Sequence, residues 1–315
     1  MKLNSKDRDH RILPNFLVAG AAKCGTTSLY YYLQQHPDIF MSPVKEPNFL
    51  SCLTTTKYKC YRDQLSASRD VRTYEAYCRL FEESGGRKAV GEASVSTMYL
   101  HNRSIPAIKH YLGDPRIIMI LRDPVERAYS AYTFIVRDGW ETLSFNESLM
   151  MEEKRKAEGY RLMWFYRDLS LYARQVRAFQ ESFSRVQVLL YDDLKHSAPE
   201  LMRSVFTFLD VNPDFVPSTQ QIQNASGFPR SKLFNDLLVK PKLLHKVART
   251  FGGAVLGVER WARLRERLRS GNLRKAPAMD PSIERELRQF FREDILKLQD
   301  YINRDLSAWI NGRKI

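Results

Sequence analysis

FLVAGAAKCGTTSLYYYLQQHP, Phe16–Pro37, is the stretch on which the fold turns. An apolar run ending in glycine, a short turn and the helically spaced Thr26–Gln35 read as strand, loop and helix. Such a junction aims several backbone N–H groups and the positive end of a helix dipole at one point, which makes it an anion cradle. Gly20 and Gly25 have the spacing of a nucleotide-triphosphatase loop, G-x-x-x-x-G-K-[ST], yet Thr26 stands where the lysine belongs. The only lysine, Lys23, lies inside the loop, and Thr26, Thr27 and Ser28 add hydroxyl donors. A plain tight turn with an exposed lysine is the competing explanation; the strand before the loop and the three hydroxyls after it favour the anion site.

Working outward, the same alternation recurs. RIIMIL precedes a helical pattern over Pro124–Val136, RVQVLL precedes another over Pro199–Leu209, and KAVGEAS, Lys88–Ser94, is a further strand candidate. Strands alternating with helices predict an α/β fold with a central parallel sheet flanked by helices. From about Leu233 the chain reads almost wholly helical, with Asp280 as a cap and Pro281 in the first turn of the last long helix. The expected partition is a tail over 1–13, an α/β core over 14–235 and a helical C-terminal extension over 236–315 packed on the same domain.

Composition narrows the function classes. The 315 residues, 43% of them hydrophobic, suffice for a large core. The first residues are too polar for a secretory leader and no run approaches 18 apolar residues, so a soluble, cytoplasmic protein is expected. Cys24, Cys52, Cys60 and Cys78 lack C-x-x-C spacing, which argues against a zinc site or a disulfide scaffold; no metal is expected. Of the net charge of +14, +9 falls within residues 239–275, a helical-looking segment with an apolar stripe. That suits an anionic membrane surface at the inner face, an acidic partner or, most simply, a solvated helix face.

A second cluster, LRDPVERAYSAY, also follows a strand. Asp123, Pro124 and Glu126 make a helix start with a side-chain cap, a first-turn proline and an acid at the capping-box position. That start leaves Arg122 and Ser130 without a purpose. Ser130 lies roughly 10 Å along the helix, and a guanidinium fork plus a hydroxyl suits a dianionic phosphate.

Together AGAAKCGTTSL and LRDPVERAYSAY resemble the 5′-phosphosulfate loop and the 3′-phosphate motif of the sulfotransferases that use 3′-phosphoadenosine 5′-phosphosulfate (PAPS), most closely the bacterial and carbohydrate-type branch. SPVKEPNFL, VGEAS, VLLYDDL, NASGFPRSKL and NRDLSAWI extend the resemblance from about Pro14 to Trp309. It implies a P-loop-like three-layer fold and transfer of a sulfuryl group from PAPS, without a metal, to a hydroxyl or less readily an amine of a carbohydrate or glycolipid. Lys23, Cys24, Gly25, Thr26, Thr27 and Ser28 would hold the 5′-phosphosulfate, and Arg122 with Ser130 the 3′-phosphate. Lys23 would also stabilise charge developing on the bridging oxygen.

Glu46 of KEPNF falls where similar enzymes place the general base. Pro47 and Pro43 stiffen its surroundings, although a surface pair with Lys45 would be the favoured reading without the flanking motifs. Arg230, Ser231 and Lys232 of PRSKL stand in for an adenine-loop pattern that is absent. Ala93 occupies a position where related glycan enzymes often carry lysine, which leaves a second active-site cation unaccounted for. His36 reads as a helix-terminating element, Tyr191 as scaffold, and Trp140, Trp164 and Phe165 as packing before sugar stacking. The alternatives are an ATP-dependent kinase, which leaves Lys23 misplaced, and a non-enzymatic nucleic-acid or anionic-surface binder acting through 239–275. The motifs lie outside that segment, so no nucleic-acid partner is expected.

Overall fold

The computed structural model describes residues 11–51, 58–219, 228–231, 268 and 271–312. Five strands, β1 (Phe16–Gly20), β2 (Ile39–Met41), β3 (Ala89–Ala93), β4 (Arg116–Leu121) and β5 (Val186–Leu190), form one sheet in the order β2-β3-β1-β4-β5. Every pairing is parallel. Parallel strands buried on both faces need near-continuous apolar runs, and β1 and β3 are buried throughout. Helices cover both faces, as the alternation of elements predicts. Gly91 in β3 is fixed by packing: a Cβ there would lie 2.2 Å from the ring of Phe16.

The chain leaves β1 toward β2 and β3 on one side, then crosses to β4 and β5 on the other. The order therefore reverses between β1 and β4, and in open α/β sheets ligands bind outside the carboxyl ends of the strands at such a point. The register between β1 and β4 shifts between Val18 and Gly20, just before the glycine-rich loop begins at Ala21. Ala21 N–H donates to Ile120 O at 2.9 Å, tying the loop to the end of β4.

Two local features differ from expectation. Strand β2 carries too short a run to be distinguished from the end of the preceding helix pattern. In the C-terminal part, Leu273–Arg274 pairs antiparallel with Phe228–Pro229 rather than continuing a helix; Gly271 and Pro277 flank that strand and interrupt helical bonding. The long helix Pro281–Ile302 starts as read, with Asp280 accepting from Ser282 N–H. It buries Leu287, Phe291, Ile295 and Leu298 along one stripe, and its Arg288 bonds Asp123 at 3.1 Å, so the extension is clamped to the start of the helix after β4.

Candidate active site

Between β1 and the helix Thr26–Gln34 the backbone turns through two left-handed residues, Lys23 (φ 68°) and Gly25 (φ 94°). Glycine at 25 is required twice over. Besides the positive φ, a Cβ would lie 2.8 Å from the ring of Tyr191 and 3.0 Å from Leu194. Cys24 turns inward: its Sγ is 3.7 Å from Tyr172 Oη and burial pushes the thiol up. Thr26 and Thr27 line a cleft with Lys23, while Ser28 sits on the same first turn outside that lining. Arg127, fully buried, braces the loop from behind: Nε donates to Ala22 O at 3.0 Å and Nη1 to Tyr166 O at 3.0 Å.

Strand β4 delivers the second group. Asp123 caps the helix Pro124–Arg137 by accepting from Val125 and Glu126 N–H, as its position predicts. Glu126 does more than mark a helix start: its carboxylate takes Arg122 Nη2 at 2.9 Å and Nε at 3.1 Å. The Arg122 guanidinium lies 4.8 Å from the centroid of Tyr191, the same ring that crowds Gly25. Loop and arginine thus meet on one aromatic plate. Glu126, Ser130 and Phe134, spaced four residues apart, share one face of their helix, which sets Ser130 between the partner of Arg122 and the ring that carries Lys23.

That ring organises a positive cluster. Lys23 Nζ stands 4.2 Å from the Phe134 centroid, Arg137 at 4.6 Å and Arg62 at 5.7 Å. Burial, then the neighbouring Arg137, lowers the Lys23 ammonium to about 7. Across the cleft, which holds about 290 Å³, stands Glu46. It adopts a left-handed φ of 61°, donates its N–H to Ala93 O at 2.9 Å, and spreads its carboxylate between Lys45 Nζ at 2.8 Å and Val95 N–H at 2.9 Å. The ion pair with Lys45 therefore exists, and the carboxylate is also fixed by backbone and lines the cleft.

The remaining wall is assembled from distant segments. Asn48, also at positive φ (56°), accepts from Ser96 Oγ and donates to Asp70 Oδ1 at 2.8 Å. Asp70 in turn takes both contacts of Arg161 Nη2, at 2.7 and 2.8 Å. Asp63, with no exposed surface, accepts from Arg161 N–H at 2.8 Å and Trp164 Nε1 at 3.0 Å and pairs with Arg62 at 3.3 Å.

Arg230 and Ser231 are not brought to this cleft. They are exposed and bonded to Asn272 and Leu273, in a segment whose Phe228 touches Tyr132 on the outer side of the Ser130 helix. Lys232 and nearly all of 239–275 lie outside the described residues. His36 is structural, bonded to Asn212 O and packed on Phe206 and Phe215; Trp164 and Phe165 are buried, and Trp140 faces Tyr61. Tyr191, read as scaffold, proves to be the plate between the two motifs. Sequence reasoning missed Arg62, Asn48, Arg127, Phe134 and Arg161. Only Phe134 carried a signal, being four residues after Ser130.

Comparison with known proteins follows the same geometry. The sequence pattern of the Sulfotransferase family matches residues 14–214. Carbohydrate sulfotransferase 15 of Rattus norvegicus is 27% identical over 254 residues, 64% of this chain and 45% of that protein. Heparan sulfate glucosamine 3-O-sulfotransferase 3A1 of Mus musculus is 27% identical over 229 residues, 71% of this chain and 52% of that protein. The chain thus spans about half the length of these relatives. The crystal structure of a sulfotransferase from Alicyclobacillus acidocaldarius superposes with a TM-score of 0.74 at 34% identity, covering 95% of this chain and 99% of that one. A match across most of the α/β core, with a solved relative of the same architecture, establishes that this chain belongs to the sulfotransferase family.

Proposed function

We propose that the protein transfers a sulfuryl group from PAPS to a hydroxyl of a carbohydrate or glycolipid acceptor. The observation that carries this reading is the Tyr191 plate, on which the glycine-rich loop and Arg122 converge from two separate strands. A nucleotide with phosphates at both its 5′ and 3′ positions needs two anion grips set side by side. The curated relatives, named as carbohydrate and heparan sulfate sulfotransferases, support the acceptor class.

In this reading the N–H groups and hydroxyls of 25–28 hold the 5′-phosphosulfate, and Arg122 with Ser130 holds the 3′-phosphate. The donor supplies an activated sulfur. Glu46, held by Lys45 and Val95, takes the proton of the acceptor hydroxyl as its oxygen bonds to sulfur. Lys23 meets the negative charge that collects on the bridging 5′-phosphate oxygen as the S–O bond breaks, leaving adenosine 3′,5′-bisphosphate. The inward thiol of Cys24 leaves that residue only its backbone to offer. No helix among the described residues is long and apolar enough to cross a membrane.

Calorimetry tests the donor reading. The protein should bind adenosine 3′,5′-bisphosphate saturably in the presence of EDTA and at least tenfold more tightly than 5′-AMP. Arg122→Ala should erase most of that preference, since a hydrogen bond to a charged group contributes about 1.5–3 kcal/mol. Equal binding of the two nucleotides by the native protein refutes the reading, and a requirement for ATP with Mg²⁺ would transfer it to the kinase alternative.

A further inference from the structure

We infer that Arg62 is a catalytic residue of this chain, a second active-site cation that grips the sulfuryl group alongside Lys23. The inference rests on the sulfuryl-transfer reading above and concerns the position that reading leaves short of charge. At Ala93, where related glycan enzymes often carry lysine, β3 ends in a fully buried methyl group. Its carbonyl accepts the N–H of Glu46, so the missing charge would have stood beside the base.

Arg62 comes from a different part of the chain, the short helix Tyr61–Ala67, and reaches the same cleft. Its guanidinium and the Lys23 ammonium stand over one ring, Phe134, at 5.7 and 4.2 Å from the centroid, and both line the cleft with Glu46. Its acidic neighbour does not consume it. Asp63 contacts Arg62 at only 3.3 Å, while its shorter bonds go to Arg161 N–H and Trp164 Nε1. Asp63 therefore orients the arginine and takes one of its five N–H donors. Lys45, the other cation near the base, is committed to Glu46 at 2.8 Å.

During transfer the sulfuryl group moves from one oxygen to another, and its single negative charge is shared by its three non-bridging oxygens. The acceptor oxygen forms the new S–O bond, the pair of the breaking S–O bond goes to the 5′-phosphate, and the acceptor proton goes to Glu46. Lys23 covers the leaving oxygen. The Arg62 guanidinium over the same ring covers the non-bridging oxygens, where a fork matches the geometry.

The test needs no acceptor. PAPS and adenosine 3′,5′-bisphosphate differ only by the sulfuryl group, and PAPS is hydrolysed slowly when water takes the acceptor's place. In Arg62→Met, affinity for the bisphosphate should stay within twofold of the native value, affinity for PAPS should fall about tenfold, and hydrolysis to sulfate should fall about 10²- to 10³-fold, the range seen when one charge-stabilising donor is removed. Arg62→Lys, which keeps the charge and loses the fork, should fall between. It also serves as the deciding variant if the methionine protein fails to fold. An unchanged ratio of PAPS to bisphosphate affinity with native hydrolysis overturns the role of Arg62 while leaving the donor reading standing. Equal binding of bisphosphate and 5′-AMP by the native protein instead removes the donor reading and this inference with it.

Discussion

The two sides of the cleft are built on different principles. On the side of the glycine-rich loop, contiguous stretches of chain, 16–34 and 116–137, place their groups through backbone geometry: left-handed residues, a helix cap and a strand register. The rest of the lining draws single residues from around 46, 62, 95 and 161, and two carboxylates, the buried Asp63 and the half-buried Asp70, tie Arg62, Asn48 and Arg161 together. Short-range spacing encodes the first side and long-range polar hubs encode the second.

The sharpest way to break the contrast is at Gly25. Alanine there imposes about 1–3 kcal/mol of backbone strain and drives its methyl into Tyr191 and Leu194. Binding of adenosine 3′,5′-bisphosphate should fall more than 30-fold and thermal unfolding should shift down by several degrees. Gly113→Ala is the control, because that glycine has φ +78° with nothing within 4 Å. It should lose stability by strain alone and keep native nucleotide affinity. Equal nucleotide affinity in the two variants would show that the loop tolerates displacement and that the donor side is not fixed by its backbone.

A smaller effect is expected from Lys23. With its ammonium lowered to about 7 by burial and by Arg137, the free protein carries the charge below pH 7 and loses it above. A phosphate ligand favours the charged form, so bisphosphate affinity should fall as pH rises from 6 to 8, by no more than tenfold per unit. Lys23→Arg stays charged across that range and should flatten the profile. A native profile already flat would remove Lys23 from contact with the ligand.

How much of this was legible follows from the same contrast. Strands β1, β3, β4 and β5 and the cap at Asp123 were readable because an apolar run before a turn, or an acid before a proline, decides local structure unaided. The loop residues and Arg122 stand out in sequence for the same reason, and the fold brings them to one ring, Tyr191. Arg62 and Arg161 were not: an arginine on a short helix looks alike in sequence whether it faces solvent or a cleft, and only folding brings Asp63 and Asp70 behind them. Arg127 failed differently, since a charge in the middle of a helical pattern predicts exposure, whereas three acceptors from the loop and the 166–170 segment sustain its burial.

A separate effect, on stability rather than on nucleotide affinity, lies at the seam of the two sides. Glu92 on β3 is buried, and burial opposed by its bond from Ser94 raises its carboxyl to about 8, with the charge of Glu46 adding to the rise. Ser94 Oγ donates to Glu92 at 2.7 Å and accepts Asn48 N–H at 3.1 Å, so Glu92 supports the turn that presents Glu46. A neutral Glu92 keeps a second negative charge away from the Glu46 carboxylate. Because the folded state holds this proton to a higher pH than the unfolded chain, whose value is 4.5, its contribution to stability is complete below pH 4.5 and is lost as pH rises toward 8. The slope is at most about 1.4 kcal/mol per pH unit. Glu92→Gln keeps an amide that accepts from Ser94 and cannot ionise, so denaturant unfolding at pH 5, 6.5 and 8 should show native-like stability at pH 5 and a flatter decline above it. If the variant instead loses stability equally at all three values, Glu92 acts by packing, and the two sides of the cleft share no titrating link.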